Sequence, residues 1–394
     1  MTPRTYTARW ILPVSGPPLE CGTITVLGEM IESVDPAGAR TPDEDFGEAI
    51  ILPGLVNAHT HLDLSGAAGL TRPVSGESFP DWLSRVIDFR RTRTTAQTDA
   101  DIQRALMESL QCGVTLIGDI ASGGASWRHL ANAPCRAVVF WELIGTSLER
   151  FESAWHTAIL ATATQPDTPT CRWGRSPHAP YSVHKRGYEL AARVPGLSAI
   201  HLAESRDEIE LVSDRTGPFV PFLQNLGVWE PAGLIRGPRE FLIARPEQRL
   251  LVVHGNYLPG DTPLTANQSI AICARTHAAF GHPPHPFCEF LARGVNVCVG
   301  TDSLASNPDL DVLAELQELH RRYPDVPGET LLKMGTFNGA KALGFEDVCG
   351  TLEVGKSADF VVLPCDSTDD PHGALLTGDF PPANRRAIFR GQWR

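Results

Sequence analysis

AIILPGLVNAHTHLDLS, residues 49–65, is an apolar run that ends in two histidines one residue apart. Extended backbone puts alternate side chains on one face, so His59 and His61 point the same way. The run is aliphatic almost throughout, as a strand buried on both faces requires. A strand that closes on two imidazoles of one face offers a ready pair of metal ligands. The rest of the chain decides whether it holds one.

Seven further apolar runs follow: VTLIGDI (114–120), RAVVFWE (136–142), CRWGRSPH (171–178), LSAIHLAE (197–204), RLLVVHG (249–255), SIAICART (269–276) and VNVCVGTD (295–302). With AIILPGLV (49–56) they make eight strand candidates, of which SIAICART also reads as a helix end. Amphipathic helical stretches such as FPDWLSRVIDFRRTRTT and LDVLAELQELHRRY lie between them. Strands alternating with helices predict an α/β fold, a (β/α)8 TIM-type barrel. Such barrels build their sites at the C-terminal ends of the strands. The polar residues there are His59 and His61, Asp119, Glu142, His178, His201 and Glu204, His254 and Asp302.

His201 and Asp302 can converge with His59 and His61. Three neutral imidazoles and one carboxylate suit Zn2+, with Fe2+ the alternative, and leave a place for water. His129, His156, His184, His320 and His372 lie away from strand ends and read as ordinary core or surface histidines. A second ion would need a bridging lysine or carboxylate closing strand 4, but that strand ends in SPHAPYSV. The nearest lysine, Lys185, comes seven residues after His178, so one divalent ion is expected. The segment CARTHAAFGHPPHPF carries His277, His282 and His285 and reads either as a proline-stiffened surface loop or as a substrate-recognition loop.

Composition limits the partners. Of 394 residues 42% are hydrophobic and 20% charged, an ordinary globular mix, and the formal charge is −12. An acidic chain is a poor partner for nucleic acid but can take a small nucleoside. Nine cysteines without a C-x-x-C pair argue against a disulfide framework and fit a reducing, cytoplasmic setting. The absence of C-x-x-C also excludes the zinc deaminase type built on H-x-E and P-C-x-x-C. No apolar stretch is long enough for a membrane span.

PGLVNAHTHLDLS, HLAES, VHGNYL, GTDSLASNPDLD and GTLEVGKSADFVVL together resemble the amidohydrolase superfamily, from Gly22 to about Arg390. Within it the chain is most similar to the deaminase and chlorohydrolase branch, which holds S-adenosylhomocysteine/methylthioadenosine, guanine and 6-aminodeoxyfutalosine deaminases and triazine chlorohydrolases. The resemblance implies a catalytic barrel over 51–344 and a small β-sandwich from residues 1–50 and 345–394. It implies His59, His61, His201 and Asp302 as metal ligands, Glu204 as proton shuttle, His254 as orienter of the attacking water, and His178 as a substrate contact. Asp81 and Trp82 align with a substrate-binding loop. Homodimers are common in the family.

The implied reaction is hydrolytic deamination of an aminopurine-type substrate, a nucleoside such as 6-aminodeoxyfutalosine or an adenosine-like compound. The alternative keeps the machinery and cleaves another ring C–N or C–Cl bond, in guanine, a pterin, a triazine or a cyclic amidine. Either reaction adds water to an sp² carbon, and zinc can bring the pKa of water to about 7. Asp302 can take the water proton, and Glu204 can protonate the ring nitrogen and then the leaving group. Glu204 has a structural alternative, since AESRDEIEL also reads as a helix start where an acidic residue is favoured.

Overall fold

A computed structural model describes residues 2–69, 74 and 76–394. Eight strands form its central sheet: β1 (Leu55–Thr60), β2 (Val114–Ala121), β3 (Arg136–Leu143), β4 (Cys171–Pro177), β5 (Ser198–Leu202), β6 (Leu250–His254), β7 (Gln268–Ile272) and β8 (Asn296–Val299). They pair in sequence order, all parallel. Just beyond β8, the amides of Thr301 and Asp302 donate to the His59 carbonyl at 3.0 and 3.1 Å. The Thr60 hydroxyl donates to the Asp302 carbonyl at 2.8 Å, and these bonds close the sheet into a (β/α)8 barrel. Asn57 pins the same seam, its side chain donating to Thr301 Oγ1 at 2.8 Å and accepting from the Thr301 amide at 3.1 Å.

Two-residue periodicity sorts the strand side chains. Val56, Ala58, Leu116, Val138, Phe140, Ala199, Leu251, Val253, Ala271 and Cys298 fill the interior, with Phe345 and Leu343 packed among them. The alternate residues, among them Ile117, Val139, Ile200, Val252, Ile270 and Val299, meet the helices outside. The first two helices show why those segments coil where they do. In α1 (Phe79–Thr92) Ser78 accepts from the Asp81 amide and Pro80 stands in the first turn. In α2 (Thr95–Gln111) Thr94 and Gln97 form a reciprocal capping box.

The terminal segments add two small sheets that face each other across a shared apolar core of Tyr6, Ile11, Ile24, Val26, Ile51, Phe360 and Ile388. One consequence corrects the sequence reading. The run 49–56 is not one barrel strand. Ala49–Pro53 pairs antiparallel with Phe360–Pro364 in the six-stranded terminal sheet, and the barrel begins at Leu55. Pro53 and Gly54 make the break. A Cβ on Gly54 would lie 2.1 Å from Thr115 Oγ1, so only glycine lets the chain pass β2 there. The ambiguous run 269–276 is a strand through Ile272, and the helix there begins at Ala274 rather than ending in the run.

Candidate active site

Strand register delivers the polar residues to the mouth. Two-residue steps from interior Ala199, Phe140 and Cys298 reach His201, Glu142 and, past Gly300, Asp302. His254 breaks this alternation: it follows interior Val253 with a left-handed φ of 68°. Asp302 has φ 57° and Ala203, beside Glu204, φ 54°. Non-glycine residues rarely hold such angles, and they cluster at functional sites where the surroundings enforce them. At Ala203 the enforcement is visible. The buried Glu208 carboxylate accepts from the amides of Ala203 and Glu204 at 2.8 and 3.0 Å, and Asn256 donates to the Glu204 carbonyl at 2.9 Å.

The ligand candidates meet. Donor atoms of His59, His61 and Asp302 lie within 4.8 Å of one another, as do those of His59, His201 and His254. His61 Nε2 is 3.1 Å from His201 Nε2, and Asp302 Oδ1 is 3.4 Å from His59 Nε2 and 3.7 Å from His61 Nε2. Such separations suit donors that share one cation at about 2.0–2.2 Å each. His59 Nε2 is buried with no hydrogen bond of normal geometry, only Asp302 Oδ1 at 3.4 Å, which is costly unless a cation takes its lone pair. Burial, then the neighbouring imidazoles, push His61 and His201 well below the usual histidine range, so both are neutral. Asp302 is ionised: burial opposes this, but the imidazole of His59, 3.4 Å away, and those of His254 and His61 hold its pKa below the usual value. Ser306 donates to Asp302 Oδ2 at 2.7 Å and leaves Oδ1 facing the imidazoles. The donor set fits a divalent metal ion.

Glu204 differs from Asp302. Burial first, then the Asp302 charge, raise its pKa well above the ordinary carboxyl value, so it holds a proton. Its Oε1 lies 3.2 Å from His254 Nε2. His254 is pushed down to about 3, chiefly by burial, and is a neutral imidazole. A protonated and an ionised carboxyl at one mouth divide acid and base work.

A cavity of about 350 Å3 opens from these groups. His61, His178, His201, Glu204 and Asp302 line its inner end, while Leu83, Val86, Ile87, Phe222 and Leu226 line its outer wall. Trp82 is on the wall, stacked edge-on to Phe280. His178 is there too, with Nδ1 2.8 Å from the Ser182 hydroxyl.

Asp81 is not brought to the cavity. It is exposed at the start of α1, where its carboxylate accepts from the Ser78 hydroxyl at 2.7 Å, so its position answers to helix capping. None of His277, His282 and His285 lines the cavity either. His285 donates through Nε2 to the His254 carbonyl of β6 at 2.8 Å, and the His277 ring lies against those of His282 and His285. Lys185 is exposed, consistent with a site for one ion. His184 caps the helix it precedes, and His129 pairs with Asp99 at 3.3 Å.

Sequence reasoning missed Arg90. From the end of α1 it reaches the cavity and pairs with Glu142 at 3.0 Å and Asp63 at 3.3 Å. Asp63 closes the very stretch that carries His59 and His61, and Glu142 stood at a strand end; two buried carboxylates without a partner were the available signal.

A barrel that gathers these groups at its C-terminal mouth has the architecture of an enzyme site. The chain belongs to the amidohydrolase family, whose profile matches residues 50–390, and is a hydrolase acting on carbon–nitrogen bonds. It is 32% identical to the 5-methylthioadenosine/S-adenosylhomocysteine deaminase of Moorella thermoacetica, over 90% of this chain and 83% of that one. Its fold superposes on Helicobacter pylori aminofutalosine deaminase in complex with methylthio-coformycin, with a TM-score of 0.84, 23% identity, and 99% and 100% of the two chains covered. It also superposes on a Xanthomonas campestris adenosine deaminase with bound zinc, at a TM-score of 0.80 and 22% identity over 99% and 92%.

Proposed function

We propose that this chain is a metal-dependent deaminase that releases ammonia from an aminopurine-type nucleoside. The observation that carries the reading is the meeting of His59, His61, His201 and Asp302 beside the buried Glu204 at the inner end of one cavity. Its names come from relatives: the similar curated proteins are deaminases of adenosine-type compounds.

The ion we propose is a single Zn2+, with Fe2+ the alternative, held by His59, His61, His201 and Asp302. When bound, it would supply Lewis acidity and make a water molecule acidic near neutrality. Asp302, ionised, takes the proton of the attacking water. His254, neutral and fixed against Glu204, orients that water by a hydrogen bond. Glu204 delivers its proton to the ring nitrogen next to the attacked carbon, so that negative charge does not build on the ring. As the ring C=O forms, Glu204, now ionised, takes the hydroxyl proton of the tetrahedral centre and passes it to the departing amine, and the proton held by Asp302 restores the acid form of Glu204. His178 contacts the ring from the far side of His201, their centroids 4.7 Å apart. Trp82 and the aliphatic wall shield the ring from bulk water.

All nine cysteines are free, which supports the cytoplasmic setting we propose. Among the described residues no helix is long and apolar enough to cross a membrane. A homodimer is the assembly we propose, to be checked by sedimentation.

The test is a screen of the zinc-loaded protein for ammonia release from adenosine, methylthioadenosine, S-adenosylhomocysteine, 6-aminodeoxyfutalosine and guanine, with a chlorotriazine as the rival substrate. Turnover of one of the nucleosides above the rest is expected. Chloride release without any ammonia release would overturn the reading.

A further inference from the structure

One buried carboxylate in the cavity has no part in the chemistry above. Glu142 lies at the mouth end of β3, two residues past Phe140, with its side chain only 2% exposed. Its Oε2 accepts from Arg90 Nη1 at 3.0 Å. Arg90 also holds Asp63, so the guanidinium fixes Glu142 from one side. On the other side, Oε1 is buried and accepts no hydrogen bond of normal geometry. His178 Nε2 stands 3.8 Å from it, and the Ser122 hydroxyl hydrogen-bonds the carboxylate. Burial opposes ionisation of Glu142, but Arg90 and then His178 outweigh it and hold its pKa below the usual glutamate value. An ionised carboxylate only accepts hydrogen bonds. Arg90 and Ser122 meet only part of the carboxylate's acceptor capacity, and a buried charged oxygen without a well-formed hydrogen bond is costly, so Oε1 faces a ligand or the fold bears the cost.

Position decides between these. Glu142 and His178 both line the cavity that holds the ligand candidates. One imidazole, His178, separates Glu142 from His201. A ring whose reacting carbon sits at His59, His61 and His201 therefore presents another part of the molecule to Glu142. We propose that Glu142 Oε1 accepts a hydrogen bond from an O–H or N–H of the substrate remote from the reacting carbon, and so selects substrates that carry a donor there. The proposal rests on the deaminase reading for the placement of the reacting carbon. Asp81, expected from the sequence to supply an acidic substrate contact, is outside the cavity, and Glu142 is the carboxylate inside it that the reaction leaves free.

Two sources supply such a donor: a sugar hydroxyl or an amine on the ring. The test pairs substrates with the variant Glu142→Gln, which keeps the shape and an acceptor but loses the charge. Thermal melting first establishes that the variant folds. With the zinc-loaded enzymes, kcat/KM is measured on adenosine, 2′-deoxyadenosine, 3′-deoxyadenosine and 2,6-diaminopurine riboside. In the wild type, removing the donor that Glu142 meets lowers kcat/KM by about 10- to 100-fold. In Glu142→Gln that discrimination falls to within about threefold. Loss on the deoxy sugars assigns the hydroxyl; gain on the diaminopurine assigns the ring amine.

Equal losses on every substrate, as a purely structural anchor for Arg90 would give, overturn the proposal. So does a wild type that treats all four substrates alike, a result independent of the variant's folding. If no nucleoside is turned over, the deaminase reading fails by itself, and dissociation constants of the same four compounds by calorimetry decide the matter for Glu142. Donor-dependent affinity that the variant loses keeps the assignment; donor-independent affinity overturns it.

Discussion

Gly300→Ala is the sharpest test of how this barrel positions its site. Gly300 immediately follows β8, against the segment of β1 that carries His59. A Cβ there would lie 2.7 Å from His59 Cβ, 2.7 Å from the His59 carbonyl oxygen and 2.9 Å from its amide nitrogen. Two of those atoms are backbone and cannot rotate away. Restoring ordinary contact at 3.4 Å moves the strands apart by about 0.7 Å. The two seam bonds from the amides of Thr301 and Asp302, now 3.0 and 3.1 Å, then stretch beyond hydrogen-bond reach.

Losing them costs about 1 kcal/mol each, and the overpacking itself adds about 1–3 kcal/mol. We expect a destabilisation of roughly 3–5 kcal/mol in denaturant unfolding. His59 and Asp302 separate by the same shift, so zinc affinity and kcat/KM fall by about 100-fold. Gly16→Ala is the control, because a Cβ there meets nothing within 4 Å. A Gly300→Ala protein that unfolds with wild-type stability and retains one equivalent of zinc through dialysis would refute the reasoning.

Glu204→Gln should keep the fold and bound metal but lose about 100-fold or more in kcat, measured by ammonia release; wild-type turnover would remove its proton-shuttle role. Dialysis against a chelator should abolish activity and lower the melting temperature, and one equivalent of zinc per chain should restore both. A melting temperature indifferent to chelation would speak against the ion.

Asp119 supplies a pH test. It is buried, accepts from the Leu62 amide at 2.8 Å, and burial raises its pKa from 3.8 to about 7. A carboxyl raised in the folded state stabilises fully below its unfolded pKa and loses that contribution as pH rises through the folded value. Wild-type stability should therefore fall between about pH 4 and pH 7 by at most ~4 kcal/mol from this group. Asp119→Asn, which cannot ionise, should show a shallower decline in melting temperature over that window. An unchanged slope would count against the assignment.

Strand ends were legible because one sequence feature, an apolar run closed by a polar residue, encodes both the strand and its mouth. His59 and His61, His201 and Asp302 come together because they stand at the ends of three such runs. Where the run did not mark the boundary, the reading slipped: the apolar run 49–56 continues across it, and only the Pro53–Gly54 pair divides two sheets. Arg90 was invisible because it acts from the far end of a helix. Its spacing from Glu142 is set by how α1 lies across the mouth, which no local pattern encodes. Asp81 misled for the converse reason. Its neighbour Trp82 faces the cavity, but successive helix residues face different ways, and Asp81 caps the turn. Of the three histidines of 273–287, His277 and His285 are buried and His285 braces β6, although their composition alone looks like a loop at the surface.

The pairing of Ala49–Pro53 with Phe360–Pro364 has a consequence for the life of the chain on the ribosome. Ile50, Ile51 and Leu52 are fully buried in the finished protein, but their partner strand is made about 300 residues later. At about 5–20 residues per second, that is a wait of roughly 15–60 s. Throughout it, an aliphatic strand with an unpaired edge hangs immediately upstream of the segment that carries His59 and His61, open to mispairing with another nascent chain. Slow translation of this chain should thus favour aggregation over yield, and a chaperone that covers residues 49–53 until the last β-segments emerge should be among its first contacts in the cell.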